Sequence, residues 1–351
     1  MMNNISSYIT SLVFILFIGL VGAANIYSLP KQAVEGNSFN GERTRLFESR
    51  YDENAVLVDW SKNFWGMLDY VLLDEGLKGV IVGKNGWLFS SEEFYSPTQS
   101  SIDSNIHFVK ETLDSLSNNN INLKVVLIPE KAEVYSNFAP DQQNRGETLR
   151  LQVTKQLDNI GIEYLDLFPV FMNNQQNSLL FLKTDTHWSP DGARIAATAV
   201  ASTLIPNGEE TFTSQLVKET VMRGDLLNFV PVAPHFSKLG PKPDRLSLYT
   251  TNLVSDDVDD LFSDMPLPEL LLVGTSYSAN PNWNFSGFIK EATSQDLIDM
   301  SSEGEGPFIP MKTVLDDPSF MDGSIRTILW EIPVRYFESE QFNINKQGEN
   351  S

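Results

Sequence analysis

Two short segments hold residue types able to do nucleophilic chemistry. The first is Asp185-Thr186-His187-Trp188, followed by Ser189-Pro190-Asp191-Gly192. A neutral imidazole, with a pKa of about 6.5, is the usual base for activating a weak hydroxyl nucleophile. It needs a second group to hold its tautomer and orientation, and a carboxylate does that. Asp185 lies two residues before His187. In an extended segment side chains at i and i+2 share a face, so the carboxylate can reach one ring nitrogen while the other faces a substrate. The structural alternative is a satisfied histidine at a helix entrance. The second segment is Gly274-Thr275-Ser276-Tyr277-Ser278, directly after the apolar run Leu270–Val273. Active sites of open α/β sheets gather at the carboxyl ends of strands. A serine at a tight strand exit, with Gly274 allowing close approach, is presented much as on a nucleophile elbow. The second glycine of Gly-x-Ser-x-Gly is missing, so this is not an α/β-hydrolase match, and read alone the segment is also an ordinary turn.

The rest of the chain narrows the chemistry. There are three histidines and no cysteines. Disulfides, a cysteine nucleophile and a zinc ribbon are excluded. His107 falls inside a predicted helix near its apolar face and reads as structural. His235 sits in a proline-containing loop and is the weaker candidate base. No His-Glu-x-x-His segment exists, which argues against a metal hydrolase. No glycine-rich phosphate loop follows a predicted strand. No metal and no cofactor are therefore expected.

The elements that must position these residues alternate between strand and helix. Val80–Phe89 reads as two short strands about an Asn85-Gly86 turn. Ser104 can cap a helix through Ser117, with Ile106, Val109, Leu113 and Leu116 on one face. Lys124–Pro129 is a buried-type strand, Glu147–Ile160 a helix and Ile162–Phe168 a strand. Ser189, Pro190 and Asp191 open a third helix, to about Leu204. Residues 205–265 are less regular, and Asp256, Asp257, Asp259, Asp260 and Asp264 read as an acidic surface loop or lid. Leu270–Val273 is the clearest buried strand, and Ile325–Ile332 reads as the last. The alternation implies a mainly parallel sheet covered on both faces. Upstream, Trp60, Phe64, Trp65, Leu68, Tyr70, Val71 and Leu72 recur at roughly helical spacing and read as a packing helix.

Lys and Arg total 25 against 46 Asp and Glu, a formal charge of −21. Such a surface repels nucleic acid unless a local basic patch overrides the sum. The N-terminus departs from this polar picture. The mostly apolar stretch Ile5–Ile26 is long enough to cross a bilayer core of about 30 Å. It reads as a signal anchor, or as a signal peptide cleaved near Ala23 or Ala24. With one such segment, the remainder lies on one side, and export is expected.

Four segments resemble the AlgJ/AlgX family of polysaccharide O-acetyltransferases, whose catalytic domain is SGNH-hydrolase-like. They are Val82–Phe89, Thr184–Trp188, Gly274–Ser278 and Trp330–Tyr336, in the family's order. The order Asp, His, Ser is similar to the rearranged order of this family. The resemblance implies a three-layer α/β/α fold with a mainly parallel sheet, behind a hydrophobic anchor. Residues 1–27 would be the signal anchor or signal peptide, 28–50 a linker, 51–340 the acyltransferase domain and 341–351 a polar tail. It implies Ser276 as nucleophile, His187 as general base and Asp185 as its orienter. The location would be the periplasm, tethered to the inner membrane. A membrane-bound acyltransferase would supply acetyl, a polysaccharide such as alginate would accept it, and other export subunits would be partners. The Ser276 N–H is the expected first oxyanion donor, with Gly224 and Asn228 as candidates for the second. Tyr277 is expected to orient the site or to pack, and Trp87 and Trp188 could stack on a sugar ring. The charge favours a neutral or less acidic polymer, unless residues such as Arg223, Lys238, Lys242, Arg245 or Lys290 form a basic patch. A polysaccharide acetylesterase would use the same residues, and a non-catalytic polysaccharide-binding subunit is the alternative of a different class.

Overall fold

The computed structural model describes residues 2–28, 42–53, 57–95, 98–140, 145–254 and 267–339. The chain divides into two compact units, Met1–Leu77 with Val230–Gly240, and Lys78–Phe229 with Pro241–Ser351. The acyltransferase domain expected from residue 51 is thus divided at residue 77.

The first unit contains α1 (Met2–Ser28), α2 (Glu42–Glu53) and α3 (Val58–Leu68), the last running into a π-helical turn at Asp69–Leu73. The helix α2 occupies the end of the stretch expected to be a linker. Leu12, Phe14, Ile15 and Phe17 on α1 are exposed. Among the described residues no helix is long and apolar enough to cross a membrane. The aromatic run on α3 is only in part the packing face its spacing suggested: Trp60 and Phe64 stack on each other and contact Phe236, with centroids 6.0 Å from it. Trp60 is 45% and Trp65 59% exposed, while the buried positions of α3 are Asn63 and Gly66. Close approach decides this. A Cβ on Gly66 would lie 2.7 Å from the Pro231 ring, and Asn63 accepts the His235 N–H at 3.4 Å.

The second unit opens with β1 (Val80–Val82) and β2 (Leu88–Ser90), an antiparallel pair. Asn85 and Gly86 turn the chain between them with φ of 58° and 79°, a region open to Asn and Gly at low cost. The helix α4 (Gln99–Asn118) starts earlier than Ser104, because Ser101 and Ile102 are buried and extend its inner face backwards. His107 on α4 is exposed and pairs with Glu111 at 3.3 Å, which corrects its placement near the apolar face. Next come β3 (Asn122–Ile128), α5 (Lys131–Val134), α6 (Arg145–Ile160) and β4 (Glu163–Asp166). Asp166 ends β4 before the expected Phe168, because its carboxylate caps α7 (Leu167–Asn174) by accepting the Phe168 N–H. The helix α8 (Pro190–Thr203) starts as the sequence indicates, with the Ser189 hydroxyl accepting the Gly192 N–H.

Residues expected to be irregular form a long antiparallel ribbon, β5 (Phe212–Met222) with β6 (Asp244–Leu253). A bulge near Val217 and mixed exposure along β5 break the alternation that would have announced it. The five aspartates lie outside the described residues, as does the 341–351 tail. After β7 (Leu270–Val273) come α9 (Ser276–Ala279), α10 (Phe285–Thr293), β8 (Leu297–Asp299), α11 (Phe308–Asp316) and β9 (Thr327–Pro333).

Five strands form one parallel sheet in the order β4-β3-β9-β7-β8. The last strand in sequence is therefore central in space. Side chains alternate between two cores. Val126, Ile128, Leu270, Leu272 and Leu329 join one that includes residues of α7, α8 and α10. Val125, Leu127, Leu271, Val273, Ile328 and Trp330 join the other, with residues of α4, α6 and α11. Burying each such leucine or isoleucine stabilises by about 1.5–3 kcal/mol, so both faces must be covered. This is the three-layer α/β/α arrangement, and it brings the ends of β3, β7 and β9 together.

Candidate active site

Ser276 follows β7 through a turn whose shape is set from below. Glu331, fully buried on the adjacent β9, accepts the Thr275 N–H at 2.8 Å, the Thr275 hydroxyl at 3.0 Å and the Ser278 hydroxyl at 3.0 Å. A Cβ at Gly274 would lie 2.6 Å from that carboxylate, which explains the glycine. Thr275 caps the short α9, its hydroxyl taking the Tyr277 N–H and its carbonyl the N–H groups of Ser278 and Ala279. Among the described residues the Ser276 N–H has no partner.

Asp185 and His187 sit on a loop closed by an antiparallel bridge between Phe181 and Trp188. Three buried or half-buried groups, all distant in sequence, hold that loop. Lys131 sends its ammonium to the carbonyls of Leu88, Lys183 and Asp185. Burial lowers its pKa to about 8, against the upward pull of Glu93, Asp244 and Asp185. Asp244 accepts the N–H groups of Lys183 and Thr184 and the Thr184 hydroxyl. Asp225 accepts the Thr186 N–H at 2.8 Å and donates its own N–H to Asp185 Oδ2 at 2.9 Å.

The result is a continuous relay. Asp185 Oδ1 lies 2.7 Å from His187 Nδ1, and His187 Nε2 lies 2.7 Å from Ser276 Oγ. Burial pushes the Asp185 carboxyl up, but its hydrogen bond to His187, the imidazolium charge and two backbone N–H donors outweigh this and hold it below the usual range. The imidazole stacks on Trp283, centroids 5.4 Å apart, and Trp283 donates its indole N–H to the Ser276 carbonyl. Tyr277 is buried and braces the same loop. Its hydroxyl donates to the Thr186 carbonyl at 2.8 Å and accepts from Arg335 Nη2 at 2.7 Å. Arg335, at the end of β9, pairs with Glu130 at the end of β3. Burial raises the Glu130 carboxyl to about 8, with Arg335 pulling it down.

A cavity of about 440 Å³ opens over the relay, lined by His187, Ser276 and Tyr277 together with Lys78, Glu92, Tyr95, Asp225, Phe229 and Tyr336. Asp185, His187 and Asp225 are the potential metal-ligating side chains that converge among the described residues, within 4.8 Å. Both Asp185 oxygens and one Asp225 oxygen already accept N–H donors, so hydrogen bonding accounts for the convergence.

Several expected roles are corrected. Trp188 and Trp87 are core residues, 0% and 2% exposed, and neither is available to stack on a sugar; Trp188 donates its indole N–H to the Tyr277 carbonyl. Asn228 is exposed and Arg223 bonds the Leu227 carbonyl, and neither lines the cavity. Nor does any of Lys238, Lys242, Arg245 and Lys290, the last of which pairs with Asp296. His235, the weaker candidate base, does not line it either. Gly224 serves close approach, and it does not line the cavity. A Cβ there would lie 2.1 Å from the Thr184 carbonyl oxygen and 2.7 Å from the Asp185 nitrogen. Gly224→Ala is expected to destabilise the protein by about 1–3 kcal/mol, because the obstacle is backbone and cannot rotate away. Thermal melts and ester turnover measured together check this, both falling.

The residues that sequence reasoning missed are Glu331, Lys131, Asp225, Asp244, Arg335 and Trp283. Glu331 and Arg335 lie within the segment Trp330–Tyr336, yet nothing local gives them a function.

The relay sits at the carboxyl end of a parallel sheet, and residues 80–334 match the family model for the SGNH hydrolase-like domain of the acetyltransferase AlgX, which sets the class of the domain. The chain belongs to the AlgJ/AlgX family of polysaccharide O-acetyltransferases. It is 36% identical over 339 residues to the Pseudomonas aeruginosa protein named "Probable alginate O-acetylase AlgJ", covering 92% of this chain and 86% of that one. The solved O-acetyltransferase domain of Pseudomonas putida AlgJ is 31% identical, with a TM-score of 0.66 over 76% of this chain and 94% of that domain. Pseudomonas aeruginosa AlgX, 20% identical, shares the fold with a TM-score of 0.57 over 73% of this chain and 62% of AlgX.

Proposed function

We propose that this protein transfers acetyl groups to hydroxyls of alginate or a related exopolysaccharide through an acyl-enzyme on Ser276. The observation that carries the reading is the unbroken relay Asp185–His187–Ser276, two contacts of 2.7 Å each, beneath an open cavity. Membership of an O-acetyltransferase family supplies the reaction type.

His187 Nε2 takes the Ser276 proton as Oγ attacks the carbonyl carbon of the donor ester. The tetrahedral intermediate places its oxyanion against the unpartnered Ser276 N–H, a kind of contact that contributes about 2.7–4 kcal/mol. Collapse breaks the donor C–O bond, and His187 returns the proton to the leaving oxygen. A sugar hydroxyl then enters, loses its proton to His187 and attacks the acetyl carbonyl, regenerating Ser276. Asp185 holds the imidazole in the tautomer that accepts at Nε2 in both half-reactions.

On this reading the protein works in the periplasm at the inner membrane, where the exposed apolar residues of α1, among them Leu12, Phe14 and Phe17, would attach it. A membrane-bound acyltransferase would hand acetyl across, alongside other subunits of an export assembly.

Incubation with an activated acetyl ester and alginate oligosaccharide separates transfer from hydrolysis. Acetylated oligosaccharide is expected in excess of free acetate. Free acetate alone, unaffected by added oligosaccharide, would make the protein an esterase.

A further inference from the structure

Among the described residues, Glu331 is the fully buried carboxylate that touches the nucleophile turn directly. Its bonded partners are an N–H and two hydroxyls, none of them charged. The nearby guanidinium of Arg335 is paired with Glu130 instead. Leaving a carboxylate buried without a counter-ion is costly. A glutamine or a well-packed apolar side chain would fill the same space without a charge. A negative charge kept at this position therefore points to a use for the charge itself.

The turn offers that use. Glu331 takes the Thr275 N–H, while Thr275 takes the N–H groups of Tyr277, Ser278 and Ala279. Every other backbone donor of residues 275–279 is thereby occupied, and the Ser276 N–H is left for a substrate. On the far side of Ser276 stands His187, whose charged form and the Glu331 carboxylate attract each other. We propose that Glu331 is a positioning residue for the reaction, which directs the Ser276 hydroxyl and N–H and adds a second negative charge, besides that of Asp185, that favours the His187 imidazolium formed on attack. This deepens the acyl-enzyme reading and rests on it.

Burial raises the Glu331 carboxyl to about 7, with the Thr275 and Ser278 hydrogen bonds and the His187 charge pulling it down. The titratable groups facing it are His187 from the loop and Tyr336 beyond β9. From β3 its register partner is Val126, and from β7 the end residue is Val273, both apolar. Below its pKa the carboxyl gains a proton that must itself be donated. Three donors can then no longer converge on it, and the charge beneath the Ser276 turn is lost. Acylation should therefore fall on the acid side through the titration of Glu331.

The test follows the single-turnover acetylation of Ser276 by intact mass between pH 5 and 9, using the full chain and an activated acetyl ester. Glu331→Gln is expected to slow acylation by about tenfold or more at pH 8 while the melting temperature is kept or raised. The part of its acid limb that belongs to Glu331 should disappear. Ser278→Ala removes one donor to the carboxylate, so the acid limb should move to higher pH. Parental rate and parental limb in Glu331→Gln would overturn the proposal, as would an unmoved limb in Ser278→Ala if the glutamine variant does not fold. An absence of any acetyl adduct on the parent protein would instead defeat the acyl-enzyme reading and this one with it.

Discussion

Replacing Ser276 with alanine is expected to abolish the acetyl adduct and to lower ester turnover by roughly 10⁴-fold or more. In the proposed reaction the hydroxyl oxygen is the atom that forms the covalent bond, and nothing else near it can replace it. Thr275 and Ser278 flank it, but both hydroxyls point down to Glu331 and donate there. The loss should not be a folding effect. The Ser276 side chain makes a single hydrogen bond, to His187, and the turn is held by Thr275 and Glu331 instead. Intact mass checks the point directly. The parent should gain about 42 Da per acetyl and lose it on addition of acceptor, while the variant stays at its starting mass. Equal turnover in both proteins, with no adduct in either, would hand the assignment to a non-catalytic polysaccharide-binding role.

Asp185→Asn should lower kcat/KM by roughly 10⁴-fold with little loss of fold, because the change is one of hydrogen-bond polarity. Asp185 Oδ1 accepts from His187 Nδ1 and from the His187 backbone N–H, and Oδ2 accepts from the Asp225 N–H. All three donors converge on two acceptor oxygens. An asparagine has only one, so its amide NH₂ must face one of them. Turned toward the imidazole, it forces the proton onto Nε2, which can no longer accept from Ser276. Turned toward Asp225, it sets two donors against each other and loosens the loop. Steady-state kinetics at pH 8 with an activated ester distinguishes the cases. A variant retaining more than about a tenth of parental kcat/KM would show that Asp185 does not set the tautomer.

Positions that follow from local spacing are legible in the amino-acid sequence. The Asp-x-His pair, the serine after Leu270–Val273, the Ser189 cap and the Asn85-Gly86 turn are each decided by a few adjacent residues. The β5–β6 ribbon is not legible, because a bulge and two half-exposed faces erase the period of two. The aromatic run of α3 misleads for the opposite reason. Its helical period is real, but period says that residues share a face, not that the face is covered.

The same division holds at the site. The three groups of the relay can be read from the chain, because a base, its orienter and a nucleophile would need particular side chains, and the chain offers few of them. What positions those groups comes from the packing of distant elements. Glu331 lies 55 residues beyond Ser276, and Lys131 lies 54 before Asp185. Glu331 meets the Ser276 turn because β9 and β7 are neighbours in the sheet although not in the chain, and Lys131 reaches the Asp185 loop from just beyond β3. The same packing moves Trp188 from a sugar platform to the core and makes Gly224 a spacer against the Thr184 backbone. Burial and close approach are properties of pairs of elements, and no residue carries its partner in its own local sequence.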